Sequence, residues 1–296
     1  MEHKQAMGHL AALLTVVIWG TTFISTKVLL ADFQPVEILF FRFVLGFLAL
    51  WAACPHRLRG TTREQELTFA AAGLCGVCLY YLLENIALTC TLASNVGVII
   101  SVAPFFTAIL TWLLEKRRER PGAGFLLGFA VAMAGIVLIS FNGARLELSP
   151  AGDLLALLAA LVWAVYSILT KRIGSFGCPV VLTTRRVFAY GLACMVPALF
   201  LFHFKLGLDR LTNPVYLGNL LFLGLGASAL CFVTWNFAVK TLGAVKASVY
   251  IYVVPVITVV TSVLILKEEV TVLAAAGILL TLAGLVLSER KAGRTP

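Results

Sequence analysis

The stretch from Val96 to Leu114 reads VGVIISVAPFFTAILTWLL and contains no charged side chain. A helix needs about 17 to 25 mainly apolar residues to cross a hydrocarbon core, so this stretch is long enough to cross one. Apolar and polar residues do not alternate along it, which excludes a strand of an outer-membrane barrel. The stretch therefore predicts a transmembrane helix.

Nine similar stretches occur elsewhere in the 296 residues, of which 60% are hydrophobic and 12% charged. Soluble domains carry about 25% charged residues, so an ordinary soluble enzyme is disfavoured. Lipid offers no hydrogen-bond partner to the backbone, and helices satisfy their backbone groups internally. The sequence thus predicts an all-α integral membrane protein with ten transmembrane helices. The predicted spans are 8–30, 36–54, 67–90, 93–115, 122–141, 152–173, 179–203, 215–239, 245–266 and 272–288.

The Lys and Arg residues of the loops and tails are divided unevenly between the two sides of the membrane, and basic loops face the cytoplasm. Fifteen lie on one side and four on the other, which predicts that both termini are cytoplasmic. This distribution explains the net charge of +9 by topology and contact with anionic lipid rather than by binding to nucleic acid. The first side carries Lys4, Arg57, Arg59, Arg63, Lys116, Arg117, Arg118, Arg120, Lys171, Arg172, Lys240, Lys246, Arg290, Lys291 and Arg294. The second side carries Arg145, Lys205, Arg210 and Lys267.

The two halves of the chain are similar in sequence. A shift of 144 residues places Trp19 on Trp163 and Arg42 on Arg186, and a shift of 151 places Pro104 on Pro255. Each unit contains five spans, and because five is odd the second unit must be inserted in the opposite orientation. The predicted domains are 1–143 and 144–296, two inverted five-helix repeats. Such repeats are typical of transporters that work by alternating access.

Several motifs carry a resemblance to a known family. The runs are Trp19-Gly20-Thr21-Thr22-Phe23, Asn85-Ile86-Ala87-Leu88, Ala103-Pro104-Phe105-Phe106-Thr107 and Ala134-Gly135-Ile136-Val137-Leu138. Together with Lys27 and Arg42, they resemble the EamA-type exporters of the drug/metabolite transporter superfamily along the whole chain.

The resemblance implies a carrier with ten helices that exports amino acids or related small metabolites across the bacterial cytoplasmic (inner) membrane. It also implies an acidic residue after the fourth and ninth spans. Glu268 supplies the second of these, while Arg117 stands at the position of the first. A multidrug exporter of amphipathic compounds is the alternative within this class. An integral-membrane lipid-modifying enzyme is a weaker alternative, because no cluster of catalytic polar groups is evident.

Charged residues within the spans need a specific reason, since each costs at least about 2.5–3.5 kcal/mol to insert. Arg42 and Glu84 lie in the outer halves of their spans and could form an ion pair. Such a pair could contact a zwitterionic substrate, with Glu84 exchanging a proton as coupling ion, or could only hold two helices together. Arg186, the counterpart of Arg42, is a candidate for the same gating pair, although Arg185 and Arg186 could instead extend towards the interface.

Aromatic and amide side chains near mid-span predict a central cavity with an aromatic lining, although each ring could equally be core packing. The candidate substrate-binding residues are Trp19, Tyr80, Tyr81, Glu84, Asn85, Trp163, Tyr166, Trp235, Asn236 and Tyr252. Asn85 and Asn236 could orient a substrate or join helices. Trp163 and Tyr166 lie one turn apart and are the pair most expected to face the substrate.

Pro104 and Pro255 each remove a backbone donor near the middle of a span, so a kink is expected at both positions. Their repetition in both halves makes them candidate hinges, while a static kink is an equal alternative. The chain has no nucleotide-binding Gly-x-x-x-x-Gly-Lys-Ser/Thr motif, so it is not expected to hydrolyse ATP. Cys75 and Cys78 are spaced as C-x-x-C without a second pair, and we expect neither a metal, a cofactor nor a catalytic residue.

Overall fold

The computed structural model describes residues 2–114, 123–140 and 149–289, and all its regular elements within those ranges are helical. Several basic residues used to predict the orientation lie outside the described residues, as does the predicted boundary between residues 143 and 144. They are Lys116, Arg117, Arg118, Arg120, Arg145, Arg290, Lys291 and Arg294. The α-helices are α1 (Glu2–Leu29), α2 (Pro35–Ala53), α3 (Arg63–Gly73), α4 (Tyr80–Cys90), α5 (Ala93–Ile100), α6 (Ala103–Leu114), α7 (Ala123–Ser140), α8 (Pro150–Gly174), α9 (Val180–Leu201), α10 (Pro214–Leu221), α11 (Cys231–Leu242), α12 (Ala244–Ser248), α13 (Val254–Thr261) and α14 (Val272–Glu289).

Among the described residues, eight helical segments are long and apolar enough to cross a membrane. They correspond to eight of the ten predicted spans and confirm an all-α membrane fold. For the fifth and tenth spans the apolar stretches are shorter, Ala123–Gly135 within α7 and Ala275–Gly284 within α14. The full count of ten crossings therefore stays a prediction. The eight segments are Lys4–Leu29, Pro35–Ala53, Arg63–Cys90, Ala93–Leu114, Pro150–Gly174, Val180–Leu201, Pro214–Leu242 and Ala244–Leu266.

Four of these segments are not continuous α-helices, which the hydropathy of the sequence did not indicate. A π-helix, Leu74–Leu79, separates α3 from α4, and another, Phe222–Leu230, separates α10 from α11. The two lie at equivalent positions of the repeats. A third, Ser262–Leu266, follows α13. Such π-segments occur frequently at functional sites in helices.

The helix is also interrupted directly before each repeated proline, which confirms the expected kinks. Residues 101 and 102 form a turn between α5 and α6, just before Pro104. In the second half, a 3₁₀-helix, Val249–Val253, precedes α13 and Pro255. A proline cannot donate the hydrogen bond that would continue the preceding α-helical turn, and this explains both breaks.

Glycines allow α7 and α14 to approach each other closely. A Cβ added at Gly135 would lie 2.6 Å from the carbonyl oxygen of Gly277, and one at Gly284 would lie 2.5 Å from that of Gly128. These four glycines are matched by the repeat, so the two contacts are equivalent under exchange of the halves. Close helix packing through small residues is usual in membranes, where apolar side chains gain little from leaving lipid.

Two clusters of polar contacts join the loops at one end of the bundle. The Glu37 carboxylate in the first turn of α2 is 2.7 Å from the Arg210 guanidinium and accepts a hydrogen bond from the Lys205 backbone N–H. The Glu268 carboxylate accepts hydrogen bonds from the backbone N–H groups of Ala93 and Ser94, at 2.9 and 3.2 Å. Glu268 thus caps α5 across the two halves, at the position where the family resemblance implies an acidic residue.

Candidate functional site

Tryptophans from the two halves meet at the centre of the bundle. The rings of Trp19 on α1 and Trp163 on α8 have centroids 5.1 Å apart and planes at 86°. Trp235 on α11 lies 5.2 Å from Trp19, and Tyr80 and Tyr166 lie 4.8 and 4.9 Å from Trp163. Edge-to-face and tilted arrangements of this kind are favourable beyond the burial of apolar area. The structure therefore brings together five of the candidate aromatic residues.

The hub of this aromatic cluster is a residue that sequence reasoning missed. Phe232, at the start of α11, is fully buried and lies 6.1 Å or less from the rings of Trp19, Trp163 and Tyr166. It also contacts Phe43 and Phe188 from α2 and α9. The available signal was its spacing of three residues from Trp235, which places both on adjacent turns of one helix.

A small cavity of about 30 Å³ lies against the cluster. Its volume is enough for one or two water molecules but far below that of a pocket for an organic ligand. Four of the ten lining residues are candidate aromatics and one is Glu84. Thr22, in the motif that follows Trp19, and four apolar residues were missed. The lining residues are Trp19, Thr22, Phe23, Tyr80, Tyr81, Glu84, Ile100, Trp163, Ile251 and Val254.

Glu84 brings a carboxyl group to this cavity from α4. The side chain is 1% exposed, and its Oε1 atom has no hydrogen-bond partner among the described residues. Tyr80, one turn earlier on the same helix, lies beside the carboxyl group. A buried acceptor without a partner is costly. Glu84 is therefore the polar group of the cavity best placed to receive a donor from a ligand.

Arg42 lies behind the cavity wall rather than in it, and the structure forms no direct ion pair between Arg42 and Glu84. The Nε–H of Arg42 donates to the Ser228 hydroxyl at 2.7 Å, and Nη2 donates to the Tyr81 hydroxyl at 3.2 Å. The guanidinium carbon lies 4.0 Å from the centre of the Tyr81 ring, a cation–π distance. Nη1 has no partner among the described residues. Tyr81 therefore separates the unsatisfied guanidinium nitrogen of Arg42 from the cavity.

The two repeated asparagines join helices and do not line the cavity. Asn85 donates to the carbonyl oxygen of Pro35 at 3.0 Å. Asn236 accepts a hydrogen bond from the Tyr166 hydroxyl and donates to the Thr184 hydroxyl, both at 2.9 Å. In this conformation the geometry favours the structural alternative for both amides.

The remaining candidates lie around the cavity rather than in it. Trp235 is fully buried and its indole N–H has no partner among the described residues. Tyr252 lies in the 3₁₀-helix before Pro255. Neither Pro104 nor Pro255 lines the cavity. The residues four positions before them, Ile100 and Ile251, do line it.

Arg186 is far from the aromatic cluster and is not a partner of Arg42 in the structure. It lies 3.4 Å from the Glu66 carboxylate and donates to the carbonyl oxygen of Leu58 at 3.2 Å. Its neighbour Arg185 donates to the carbonyl oxygens of Cys54 and His56. Both arginines therefore extend to the loop that follows α2, as the interfacial alternative predicts.

The comparisons of this chain with known proteins agree on one family. A model of the family described as "EamA-like transporter family" matches residues 6–141 and 150–290. An "Uncharacterized transporter" of Archaeoglobus fulgidus is 29% identical, covering 96% of this chain and 97% of the relative. A "Probable terminal-alkyne amino-acid exporter" of Streptantibioticus cattleyicolor is 27% identical, covering 95% and 93%.

A solved structure has the same fold. It superposes with a TM-score of 0.65 over 98% of this chain and 99% of the other, at 21% sequence identity. At this identity the likeness concerns the fold alone. The family and the names of the relatives indicate a membrane transporter rather than an enzyme. With the family model covering nearly the whole chain in two matches, the protein belongs to the EamA-like transporter family.

Proposed function

We propose that this protein exports amino acids or related small zwitterionic metabolites across the bacterial cytoplasmic membrane as a secondary transporter. The observation that carries the proposal is the small cavity between the halves, with an aromatic wall and the unsatisfied carboxyl oxygen of Glu84. An ammonium group would satisfy that oxygen. The aromatic rings would bury an apolar side chain and attract the cation.

The second polar contact for such a substrate would come from Arg42. Its Nη1 is unsatisfied, and the guanidinium packs on the Tyr81 ring, which lines the cavity. Rotation of Tyr81 would let a substrate carboxylate reach Arg42 while its ammonium group stays on Glu84. A bound zwitterion would then offset both buried charges, which the protein alone leaves without a direct ion pair.

Alternating access is the transport mechanism we propose, because a cavity of about 30 Å³ must widen before any amino acid can enter. The proposal includes ten crossings in two inverted repeats, 1–143 and 144–296, with both termini in the cytoplasm. The equivalent contacts of Gly135 with Gly277 and of Gly284 with Gly128 support exchange of the halves. The helix breaks before Pro104 and Pro255 would serve as hinges.

Export of amphipathic drugs is the second candidate, and the size of the aromatic cluster favours it. Flat apolar compounds would stack on Trp19 and Trp163 without needing Glu84. The name of the Streptantibioticus cattleyicolor relative supports amino-acid export, although that protein is only 27% identical. The two candidates differ in whether the carboxyl group of Glu84 is required.

The test is transport by the purified protein in liposomes. Vesicles would be loaded with radiolabelled amino acids or with flat uncharged dyes, and efflux would be compared with that from protein-free vesicles, with and without a pH gradient. We expect saturable flux of apolar amino acids. Flux of dyes alone would favour the second candidate, and no flux of any compound under either condition would contradict both.

A further inference from the structure

A second cavity lies not at the centre but at the end of the bundle, between α2 and α9. This groove of about 520 Å³ is lined by four arginines and five apolar residues. We call it the basic groove. Its lining residues are Phe47, Trp51, Arg57, Leu58, Arg59, Leu182, Arg185, Arg186 and Ala189. None of the candidate transport residues lines it except Arg186, which is remote from the central cavity.

Positive charge in the basic groove exceeds the negative charge around it. Arg57 and Arg59 are exposed and make no hydrogen bond or ion pair within the described ranges. Arg185 is held by the backbone carbonyl oxygens of Cys54 and His56, which leave its charge uncompensated. Of the four arginines, Arg186 alone forms an ion pair within the part of the chain that the structure describes, with Glu66. Guanidinium groups bind phosphate oxygens through two parallel hydrogen bonds, so an anionic phosphate suits this arrangement.

The other wall of the groove is apolar and faces outwards. Trp51 is 55% exposed in the last turn of α2, and Phe47 lies one turn deeper. Tryptophan at a helix end is typical of the interface between membrane and water. Leu182 and Ala189 extend the apolar wall along α9. A soluble anion would use only the arginines, whereas a phospholipid would place its headgroup on them and its acyl chains along the apolar wall.

We propose that the basic groove binds the headgroup of an anionic phospholipid from the leaflet on the side that the basic loops assign to the cytoplasm. Basic pockets between transmembrane helices on that side are suited to anionic headgroups. The bound lipid would compensate the charge of Arg57, Arg59 and Arg185. It would also hold the loop after α2 against α9. Helix α2 belongs to the first half of the chain and α9 to the second. The proposal is independent of the transported substrate.

The test uses the delipidated full-length protein in a neutral detergent, titrated with phosphatidylglycerol or with phosphatidylcholine of the same acyl chains. Native mass spectrometry would count bound lipids. We expect the first phosphatidylglycerol to bind about tenfold or more tightly than phosphatidylcholine, and the double variant Arg57→Gln with Arg59→Gln to lose about tenfold in affinity. The matched control, Lys4→Gln with Lys246→Gln, removes two exposed charges from the same side and should leave the affinity within about twofold.

A second measurement does not depend on the arginine variants. Phosphatidylglycerol with brominated acyl chains should quench the fluorescence of Trp51, so that quenching at low lipid concentration is smaller in Trp51→Phe than in the unmodified protein. Equal affinity for the two lipids, or unchanged binding in the arginine variant, would overturn the proposal. Displacement of the lipid by millimolar inorganic phosphate would also overturn it, because the groove would then bind a small anion.

Discussion

Trp19 and Trp163 occupy equivalent positions in the two halves of the chain, and their rings meet edge to face with centroids 5.1 Å apart. The contact therefore joins the halves at the cavity. Each tryptophan also lines that cavity, so any movement of one half against the other changes its width. The indole N–H of Trp19 donates to the carbonyl oxygen of Ala227 at 3.0 Å, which attaches the ring of the first half to a π-helix of the second.

Replacing Trp163 should reduce transport by removing the central ring of the aromatic wall. Trp163→Ala would leave a void between Trp19 and Tyr80 and could also lower stability by about 3–5 kcal/mol. Trp163→Phe keeps an aromatic ring, so we expect a folded protein whose flux is reduced several-fold. The measurement is initial flux in liposomes per folded protein. Trp112→Phe, half-buried and outside the cluster, is the control. Equal flux in both variants would remove Trp163 from the substrate path.

Glu84→Gln should abolish most of the flux of zwitterionic amino acids while preserving the fold, because the amide has almost the shape of the carboxyl group. The amide oxygen can still accept a hydrogen bond from an ammonium group, but Gln carries no negative charge, so the buried ion pair with the substrate is lost. Flux and stimulation by a pH gradient would be measured together. Stimulation that persists in Glu84→Gln would argue against proton exchange at this residue. Glu64→Gln, at an exposed carboxylate, is the matched control.

Gly76→Ala should destabilise the protein. A Cβ at this position on the first π-helix would lie 2.2 Å from the ring of Tyr166, which is itself fully buried and hydrogen-bonded to Asn236. Overpacking of this kind costs about 1–3 kcal/mol. Thermal unfolding in detergent should therefore begin at a lower temperature than in the unmodified protein. At Gly218 no atom lies within 4 Å of an added Cβ, so Gly218→Ala should be neutral or stabilising.

Glu268→Ala should weaken the contact between the halves at the end of α5. The carboxylate accepts hydrogen bonds from two backbone N–H groups and from the Ser94 hydroxyl at 2.9 Å, and loss of these bonds should cost about 1–3 kcal/mol. Glu269→Ala is the control, because Glu269 is exposed and makes no such contact with the other described residues. If both variants melt at the same temperature, the cap contributes nothing to stability.

The structure brings some of the predicted site residues together for reasons that lie in helix geometry. Residues three or four apart share a face, so Tyr80 with Glu84 and Trp163 with Tyr166 could be paired from the sequence. No spacing rule relates Arg42 to Ser228, which are 186 positions apart and meet only because α2 packs against the second π-helix. The same limitation applies to Arg42 and Glu84. Their positions in the sequence made an ion pair a reasonable hypothesis, but the two side chains form no direct ion pair in the structure.

Hydropathy and the repeat were enough to predict an all-α membrane protein of the transporter class. In lipid the backbone hydrogen bonds must be made within the segment, which favours helices, and the repeat can be recognised by aligning the two halves of the sequence. The tertiary structure alone decided that Phe232 is the hub of the aromatic cluster, that Tyr81 stands between Arg42 and the cavity, and that the cavity has a volume of only about 30 Å³. Those outcomes depend on how helices rotate and approach each other. Periodicity along one chain specifies which face of a helix is apolar, but not which residue of another helix will lie against it.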